Sequence, residues 1–415
     1  MSVAPLPRCR FCRAPLTTSF VDLGETPLAN SYITADDVAA GRERRYPLHA
    51  RVCDACFLVQ VDDVAAPEAI FSDYAYFSSM SDTWVAHARR YAEAMIERFR
   101  LGPGSQVVEI ASNDGYLLQH FIAANVPALG IEPAANVAAT AVAKGVPTEV
   151  VFFGKATAEQ LVARGLRADL TAANNVLAHV PDIRDFVAGF AVLLAPEGVA
   201  TFEFPHLLNL IREVQFDTIY HEHFSYLSLI AVEAIFSAEG LRVFDVETLP
   251  THGGSLRLYV CHAAASHKES DRLIALRNTE REAGLGALPA YRGFAPRVEA
   301  VKRGFLEFLT RARDDGKRVA AYGAAAKGNT FLNVCGVGAA DIVCVFDRAA
   351  AKQGRLTPGS HIPIRSPATI GELRPDYLVV LPWNLIDEIR AQMAEIGEWG
   401  GRFVVALPEL RVLPP

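Results

Sequence analysis

Val107-Val-Glu-Ile-Ala-Ser-Asn-Asp-Gly-Tyr-Leu-Leu118 decides the fold, because an apolar β-branched run passes through a short polar turn into a helix that continues to Phe121. The run reads as a buried strand, and the turn bends the backbone tightly enough to aim helix N–H groups at a ligand. Gly115 is the one glycine in the turn; Asn113 and Asp114 are the residue types that best tolerate left-handed angles after glycine. The next apolar run, Ala128-Leu-Gly-Ile131, ends on Glu132, 17 residues after Gly115, where a carboxylate can take both hydroxyls of an adenosine ribose. No G-x-G-x-x-G is present, which argues against a dinucleotide.

The pattern favours S-adenosylmethionine, the alternative being an ordinary strand–helix turn of some other α/β domain. The expected contacts are Glu109, Ala111, Asn113, Gly115, Tyr116 and Leu117 on the loop and Glu132 and Pro133 after the second strand. Asn174 and Asn175, at the carboxyl end of a later strand, join them, since ligands of such sheets bind at that edge.

Working outward, Trp84, Ala88, Tyr91, Ala92, Met95 and Ile96 recur at helical spacing, and Gly102-Pro-Gly104 ends that helix. Leu170-Thr-Ala-Ala173, Val199-Ala-Thr-Phe-Glu-Phe204 and Leu241-Arg-Val-Phe-Asp-Val246 continue the alternation of strand and helix. A strand, His252-Gly-Gly-Ser-Leu-Arg-Leu-Tyr-Val260, precedes a charged helical stretch from Ala265 to Asp315. A second series then begins, with Arg318-Val-Ala-Ala-Tyr322, Ile342-Val-Cys-Val-Phe346 and Tyr377-Leu-Val-Val-Leu381. The expected architecture is α/β: a zinc-binding domain over 1–75, a central Rossmann-like sheet over 76–250, and a C-terminal α/β domain over 251–415.

The first domain rests on its cysteines. Two C-x-x-C turns, Cys9/Cys12 and Cys53/Cys56, offer four thiolates to a tetrahedral zinc, a structural site because no coordination position stays open. Redox-active thiols are the weaker alternative, since neither pair opens a thioredoxin-like helix. The 40 residues between Cys12 and Cys53 predict an inserted loop between two knuckles.

Composition narrows the partners. With 415 residues, 51% of them hydrophobic, the chain can bury a large core, and a net charge of −7 with interspersed signs leaves no footprint for nucleic acid or anionic membrane. No signal peptide and no run of about 20 apolar residues occurs, so a cytoplasmic protein is expected, and self-contained domains suggest a monomer.

Asp217-Thr-Ile-Tyr-His-Glu-His-Phe-Ser-Tyr-Leu-Ser228 places Tyr220, His221, Glu222 and His223, all able to move protons, beside the cofactor edge. On spacing alone these histidines equally suit a helix cap or a metal, though not the HExxH of zinc hydrolases. The turn Gly323-Ala-Ala-Ala-Lys-Gly-Asn329 offers backbone amides and Lys327 as a diphosphate cradle, or is simply a strand–helix turn. His252 and Arg257 are weaker candidates, because Ser255, Arg257 and Tyr259 alternate as they would facing solvent from an edge strand.

Here the chain resembles a known family, the zinc-containing C-methyltransferases that act at C-3 of nucleotide-linked 4-keto-6-deoxy sugars, as in the tetronitrose, mycarose and noviose pathways. The resemblance runs through both cysteine pairs, Leu23-Gly-Glu-Thr-Pro-Leu-Ala-Asn30, Tyr74-Ala-Tyr-Phe-Ser-Ser79, Ser112-Asn-Asp-Gly-Tyr-Leu-Leu118 and Asn175-Val-Leu-Ala-His179. It continues in Tyr220-His-Glu-His-Phe-Ser-Tyr226, His252-Gly-Gly-Ser-Leu-Arg257, Tyr322-Gly-Ala-Ala-Ala-Lys-Gly-Asn329 and Lys352-Gln-Gly-Arg-Leu-Thr-Pro-Gly359. Ala111 stands where glycine is common, and Ala324-Ala-Ala326 where relatives often carry proline; neither change removes a reactive group.

The resemblance implies a C-terminal domain closing over a nucleotide-linked keto-deoxysugar and an enolate mechanism. His223 is the first choice for base, Tyr220 and Glu222 position it or hydrogen-bond the sugar oxygens, and His179 is the candidate for polarising the C-4 carbonyl. Tyr76 and Tyr74 form a wall between donor and acceptor or pack blandly, and Ser79, His252, Arg257, Tyr322, Lys327 and Asn329 contact the substrate. Competing expectations are an O- or N-methyltransferase, a non-catalytic zinc-ribbon binding protein, and an oxidoreductase with NAD in the C-terminal domain.

Overall fold

The computed structural model describes residues 6–64, 77–80 and 82–414. Strand Val107–Ile110 is buried along its whole length, as a strand covered on both faces must be. It pairs in parallel with Ala128–Ile131 on one side and Ala168–Asn174 on the other. The full central sheet runs Thr148–Glu149, Ala128–Ile131, Val107–Ile110, Ala168–Asn174, Leu194–Pro205, Ser255–His262, Leu241–Leu249. Only Ser255–His262 is antiparallel to its neighbours. The chain order reverses between Val107–Ile110 and Ala168–Asn174, so a ligand crevice opens outside their carboxyl ends.

Helix Asp82–Phe99 buries Ala88, Tyr91, Ala92 and Met95 against one face of this sheet. Helices Ile183–Leu193 and Leu229–Ala238 bury Phe186, Phe190, Ile235 and Phe236 against the other. The expected solvent-facing edge at Arg257 is not found. Its strand lies inside the sheet, where Ser255, Arg257 and Tyr259 are all buried. This strand also belongs in space to the central sheet, so that sheet is not complete at residue 250, where the sequence puts the domain boundary.

An antiparallel sheet precedes it, in the order Thr18–Thr26, Tyr46–Val52, Val59–Val61, Ser225–Tyr226. Two of these strands and a short helix, Ala35–Ala39, fill the space between the cysteine pairs where a loop was expected. The fourth strand comes from the histidine segment, 164 residues downstream of Val61.

The third sheet runs Ile364–Arg365, Val345–Phe346, Val319–Tyr322, Tyr377–Val380, Arg402–Val405, Arg411–Leu413, parallel except for its last pair. The charged stretch before it resolves into helices Asp271–Glu282, Pro289–Arg292 and Phe294–Asp314. Phe294 stacks on Phe20 at 4.4 Å, and one core holds Phe20, Phe216, Phe305, Phe331 and Val379. The N-terminal sheet, the histidine segment and the C-terminal domain thus share one apolar interior. No helix among the described residues is long and apolar enough to cross a membrane.

Candidate active site

The two cysteine turns repeat one geometry. Cys9 N–H donates to the Ala14 carbonyl and Arg13 N–H to the Cys9 carbonyl; Cys53 N–H donates to Leu58 and Phe57 N–H to Cys53. Arg13 and Phe57 both take left-handed angles, with φ 65° and 58°, which curls each turn around its sulfurs. The four Sγ atoms lie within 4.8 Å of one another, with Cys9–Cys56 at 3.6 Å and Cys12–Cys53 at 3.4 Å. Four thiolates about 2.3 Å from zinc stand about 3.8 Å apart, so the donor set fits that ion. Gln60 Nε2 also donates to Cys9 Sγ at 3.2 Å.

On the donor side, Ala111, Asn113 and Gly115 take φ of 57°, 49° and 78°. The left-handed positions therefore include Ala111 and exclude Asp114, contrary to the expectation from residue type. Asn113 N–H and Ala134 N–H each donate to one oxygen of Glu132 at 2.9 Å, which fixes that carboxylate at the crevice. Each oxygen keeps a second lone pair for a ligand hydroxyl.

Tyr116 hydrogen-bonds both Glu109 and Asn174, and burial pushes the Glu109 carboxyl well above the usual carboxylate range. Glu109 Oε2, Ser112 Oγ, Asn174 Oδ1 and Asn175 Oδ1 are buried without a hydrogen-bond partner of good geometry. Orphaned acceptors gathered at one sheet edge suit a ligand rich in hydroxyl, amine and amide-like donors, as S-adenosylmethionine is. Leu117 is fully buried and serves packing.

Opposite this edge, the histidine segment is tied down from several directions. Val59 pairs with Tyr226 and Gln60 with Ser225. Asn30 Nδ2 donates to both oxygens of Glu222, at 3.0 and 2.8 Å, and His221 Nε2 donates to the Pro47 carbonyl at 3.1 Å. Burial pushes the Glu222 carboxyl up to about 6.

His223 Nδ1 lies 2.9 Å from the Thr218 carbonyl, and His179 Nδ1 lies 2.7 Å from the Glu222 carbonyl. A carbonyl only accepts, so both Nδ1 atoms carry the proton and both Nε2 atoms carry the lone pair. The Tyr220 hydroxyl donates to His223 Nε2 at 2.8 Å, and the two imidazoles meet edge to face at 4.6 Å. Burial lowers His179 to about 4 and His223 well below its ordinary value, so both are neutral near pH 7.

Several expected contacts lie elsewhere. Arg257 forms a buried ion pair with Glu203 at 2.8 Å and reaches Glu247 at 3.0 Å, so these carboxylates neutralise its charge. Tyr322 packs on the far face of the C-terminal sheet and donates to Gln392. Asn329 is fully buried and donates to the Ala29 carbonyl at 2.7 Å, clamping the N-terminal domain to the C-terminal one. The Ser79 hydroxyl is engaged by Asp114 and Lys144. His252, with φ 53°, stays exposed in the cleft beside Trp84, ring centres 5.7 Å apart. Tyr74 and Tyr76 lie outside the described residues.

Asp217, Trp383, Asn384 and Trp84 stand outside the set of site residues expected from the sequence. Trp383 Nε1 donates to the buried Asp217 Oδ2 at 2.7 Å, and Trp84 stands between Tyr116 and His252. Trp84 also falls on the helical repeat that reads as core, so nothing in its spacing separates it from Tyr91.

With this geometry in view, comparison with known proteins first gives the class: residues 84–246 match the model described as "Methyltransferase domain". Residues 250–408 match "C-methyltransferase C-terminal domain", and residues 9–71 match "Putative zinc binding domain". The C-methyltransferase NovU of Streptomyces niveus is 38% identical over 411 residues, covering 99% of this chain and 98% of that protein. The chain belongs to this family of C-methyltransferases: it is an S-adenosylmethionine-dependent enzyme with a four-cysteine zinc site.

Solved structures overlap it only in part. Magnesium protoporphyrin IX methyltransferase (ChlM) from Synechocystis PCC 6803 is 14% identical, with 44% of this chain and 82% of that chain covered and a TM-score of 0.33. The glycopeptide N-methyltransferase MtfA is 13% identical, with 42% and 96% covered and a TM-score of 0.34.

Proposed function

We propose that the enzyme methylates C-3 of a nucleotide-linked 4-keto-6-deoxy sugar through an enolate, within deoxysugar biosynthesis. The observation that carries this reading is the Tyr220–His223 pair, in which a neutral imidazole accepts from a half-buried phenol through its Nε2 lone pair. Oxygen and nitrogen acceptors are nucleophiles as they stand, whereas carbon next to a ketone must first lose a proton.

In the proposed reaction the C-3 proton leaves to His223 Nε2, directly or through the Tyr220 hydroxyl. The C–H pair becomes the C-3–C-4 double bond, and the carbonyl pair moves onto the C-4 oxygen. S-adenosylmethionine, when bound, supplies a methyl group on a positively charged sulfur. The enolate carbon takes that methyl as the sulfur keeps the bonding pair, and the C-4 carbonyl re-forms.

The chain's own residues do the rest. Thr218 fixes the His223 tautomer, and the Glu222 carbonyl fixes that of His179. Glu132 takes the donor's ribose, with Glu109, Asn113, Pro133, Asn174 and Asn175 along the same edge. Helix Ala326–Cys335 begins at Ala325 with no side-chain cap, so its first amides suit an anionic diphosphate. Alignment of donor and acceptor can contribute about 7–11 kcal/mol, which makes holding the two halves in register the enzyme's main task.

Incubation with a 4-keto-6-deoxy sugar nucleotide in heavy water tests this. Deuterium should enter at C-3 without the methyl donor, and a new methyl should appear at C-3 with it. Methylation of an oxygen or nitrogen with no exchange at C-3 would replace this reading with the O- or N-methyltransferase one.

A further inference from the structure

Lys327 stands in the first turn of helix Ala326–Cys335, where the sequence suggests a lysine for the diphosphate. Its ammonium instead bonds Asn384 Oδ1 at 2.6 Å and lies 4.9 Å from the centre of the Trp383 ring. The same ring bonds the buried Asp217 through its Nε1, and its far edge meets Gly253: a Cβ there would sit 2.3 Å from Trp383 Cη2. Gly253 follows His252, and Asp217 precedes Thr218, whose carbonyl holds His223. Trp383 therefore plants the ammonium at the junction of the His252 turn and the His223 loop, and its charge is felt at both histidines.

We propose that Lys327 is a catalytic residue: its ammonium donates to the C-4 oxygen and stabilises the negative charge that develops there when C-3 is deprotonated. This rests on the enolate reading above. His179 and His223 are neutral and each spends its one N–H on a backbone carbonyl, so their Nε2 atoms accept and bring neither a donor nor a charge to that oxygen. Three other cations, Arg257, Lys144 and Lys352, are paired with carboxylates, those of Glu203, Asp114 and Asp347. An ammonium has three donors, and among the described residues one is used, on Asn384. No proton need be transferred by Lys327; it holds the oxygen while His223 takes the proton from carbon. The C-terminal domain on this view supplies a group to the reacting atoms as well as a seat for the nucleotide.

The zinc-loaded full chain and its Lys327→Met variant decide this, with TDP-4-keto-6-deoxyglucose as probe. Methionine keeps the apolar stem against Trp383 and removes the charge. At saturating sugar nucleotide, C-3 deuterium exchange without donor should fall about a hundred- to thousandfold, the usual effect of losing one such donor. Affinities for TDP and for S-adenosylmethionine, measured by calorimetry, should stay within about threefold of wild type, the latter also showing that the variant is folded. Lys327→Arg, which keeps the charge, should recover part of the exchange. Unchanged exchange at saturation overturns the assignment, and so does a fall matched by a rise of more than about tenfold in the dissociation constant for TDP, which would return Lys327 to the phosphates. A wild-type enzyme that exchanges no deuterium overturns the enolate reading itself, and this assignment with it.

Discussion

The donor edge of the cleft comes from one continuous strand–turn–helix plus the ends of two adjacent strands, all in the central sheet. The proposed acceptor edge draws Asn30 and Gln60 from the N-terminal domain, His179 and Tyr220 to His223 from the central domain, and Lys327 and Trp383 from the C-terminal one. One side is held by local backbone geometry; the other exists only when three units are packed together. The contrast teaches that zinc, though remote from the chemistry, should matter to one half of the site alone. The strand Val59–Val61 follows the second cysteine turn and pairs with Ser225–Tyr226, while Gln60 binds Cys9 through its side chain.

The largest expected effect is therefore loss of zinc. Structural zinc sites supply folding energy outright, so chelation should unfold the N-terminal sheet and release the histidine segment. Methylation and C-3 exchange should fall to background while affinity for S-adenosylmethionine, measured by calorimetry, changes by less than about threefold. Equal loss of both would break the comparison.

His223→Ala comes next. General acid–base groups contribute about 10²–10⁴ in rate, so exchange at C-3 should drop by that amount with donor affinity unchanged. Glu132→Gln makes the mirror-image case. It removes a charged acceptor that two backbone N–H groups hold in place. A hydrogen bond to a charged group contributes about 1.5–3 kcal/mol, so donor affinity should weaken roughly ten- to hundredfold. Donor-free exchange should stay within about threefold, and a collapse of exchange in this variant would show the two edges to be coupled.

The same contrast explains what was legible in the sequence. The Glu109 to Gly115 loop and Glu132 could be read because strand, turn and helix are adjacent in the chain, and the cysteine pairs because their spacing is itself the signal. Tyr220 to His223 were visible as a segment, but their roles depend on carbonyls of Thr218 and Glu222 that no pattern marks. Arg257 misleads because alternation looks alike on an edge strand and on one inserted within the sheet. Tyr322 misleads for a related reason: Val319 and Ala321 face one core and Ala320 and Tyr322 the other, and period two alone does not say which faces the cleft. Asp217, Trp383 and Asn329 act across domain boundaries, where sequence spacing carries no information.

The smallest expected effect is in pH dependence, and it bears on the acceptor edge alone. A base with an ordinary imidazole pKa would lose activity as pH falls through about 6.5. Burial lowers His223 well below that value and His179 to about 4, so both stay neutral. The rate of C-3 exchange should then change by less than about twofold between pH 7.5 and about 5.5. Stability behaves differently, because the unfolded histidines take up protons below about pH 6.5 and the folded ones do not, so their contribution is lost as pH falls. Glu222 and Asp217, both raised to about 6 by burial, act with the opposite sign: what they contribute is present at low pH and lost as pH rises through about 6. The two pairs offset one another across the window from about pH 4 to 6.5. Glu222→Gln removes one of the carboxyls, so urea unfolding of that variant should show stability falling more steeply on acidification than in wild type. An equal slope would mean that Glu222 is ionised in the folded protein, and that Asn30 holds a carboxylate at the acceptor edge instead of an acid.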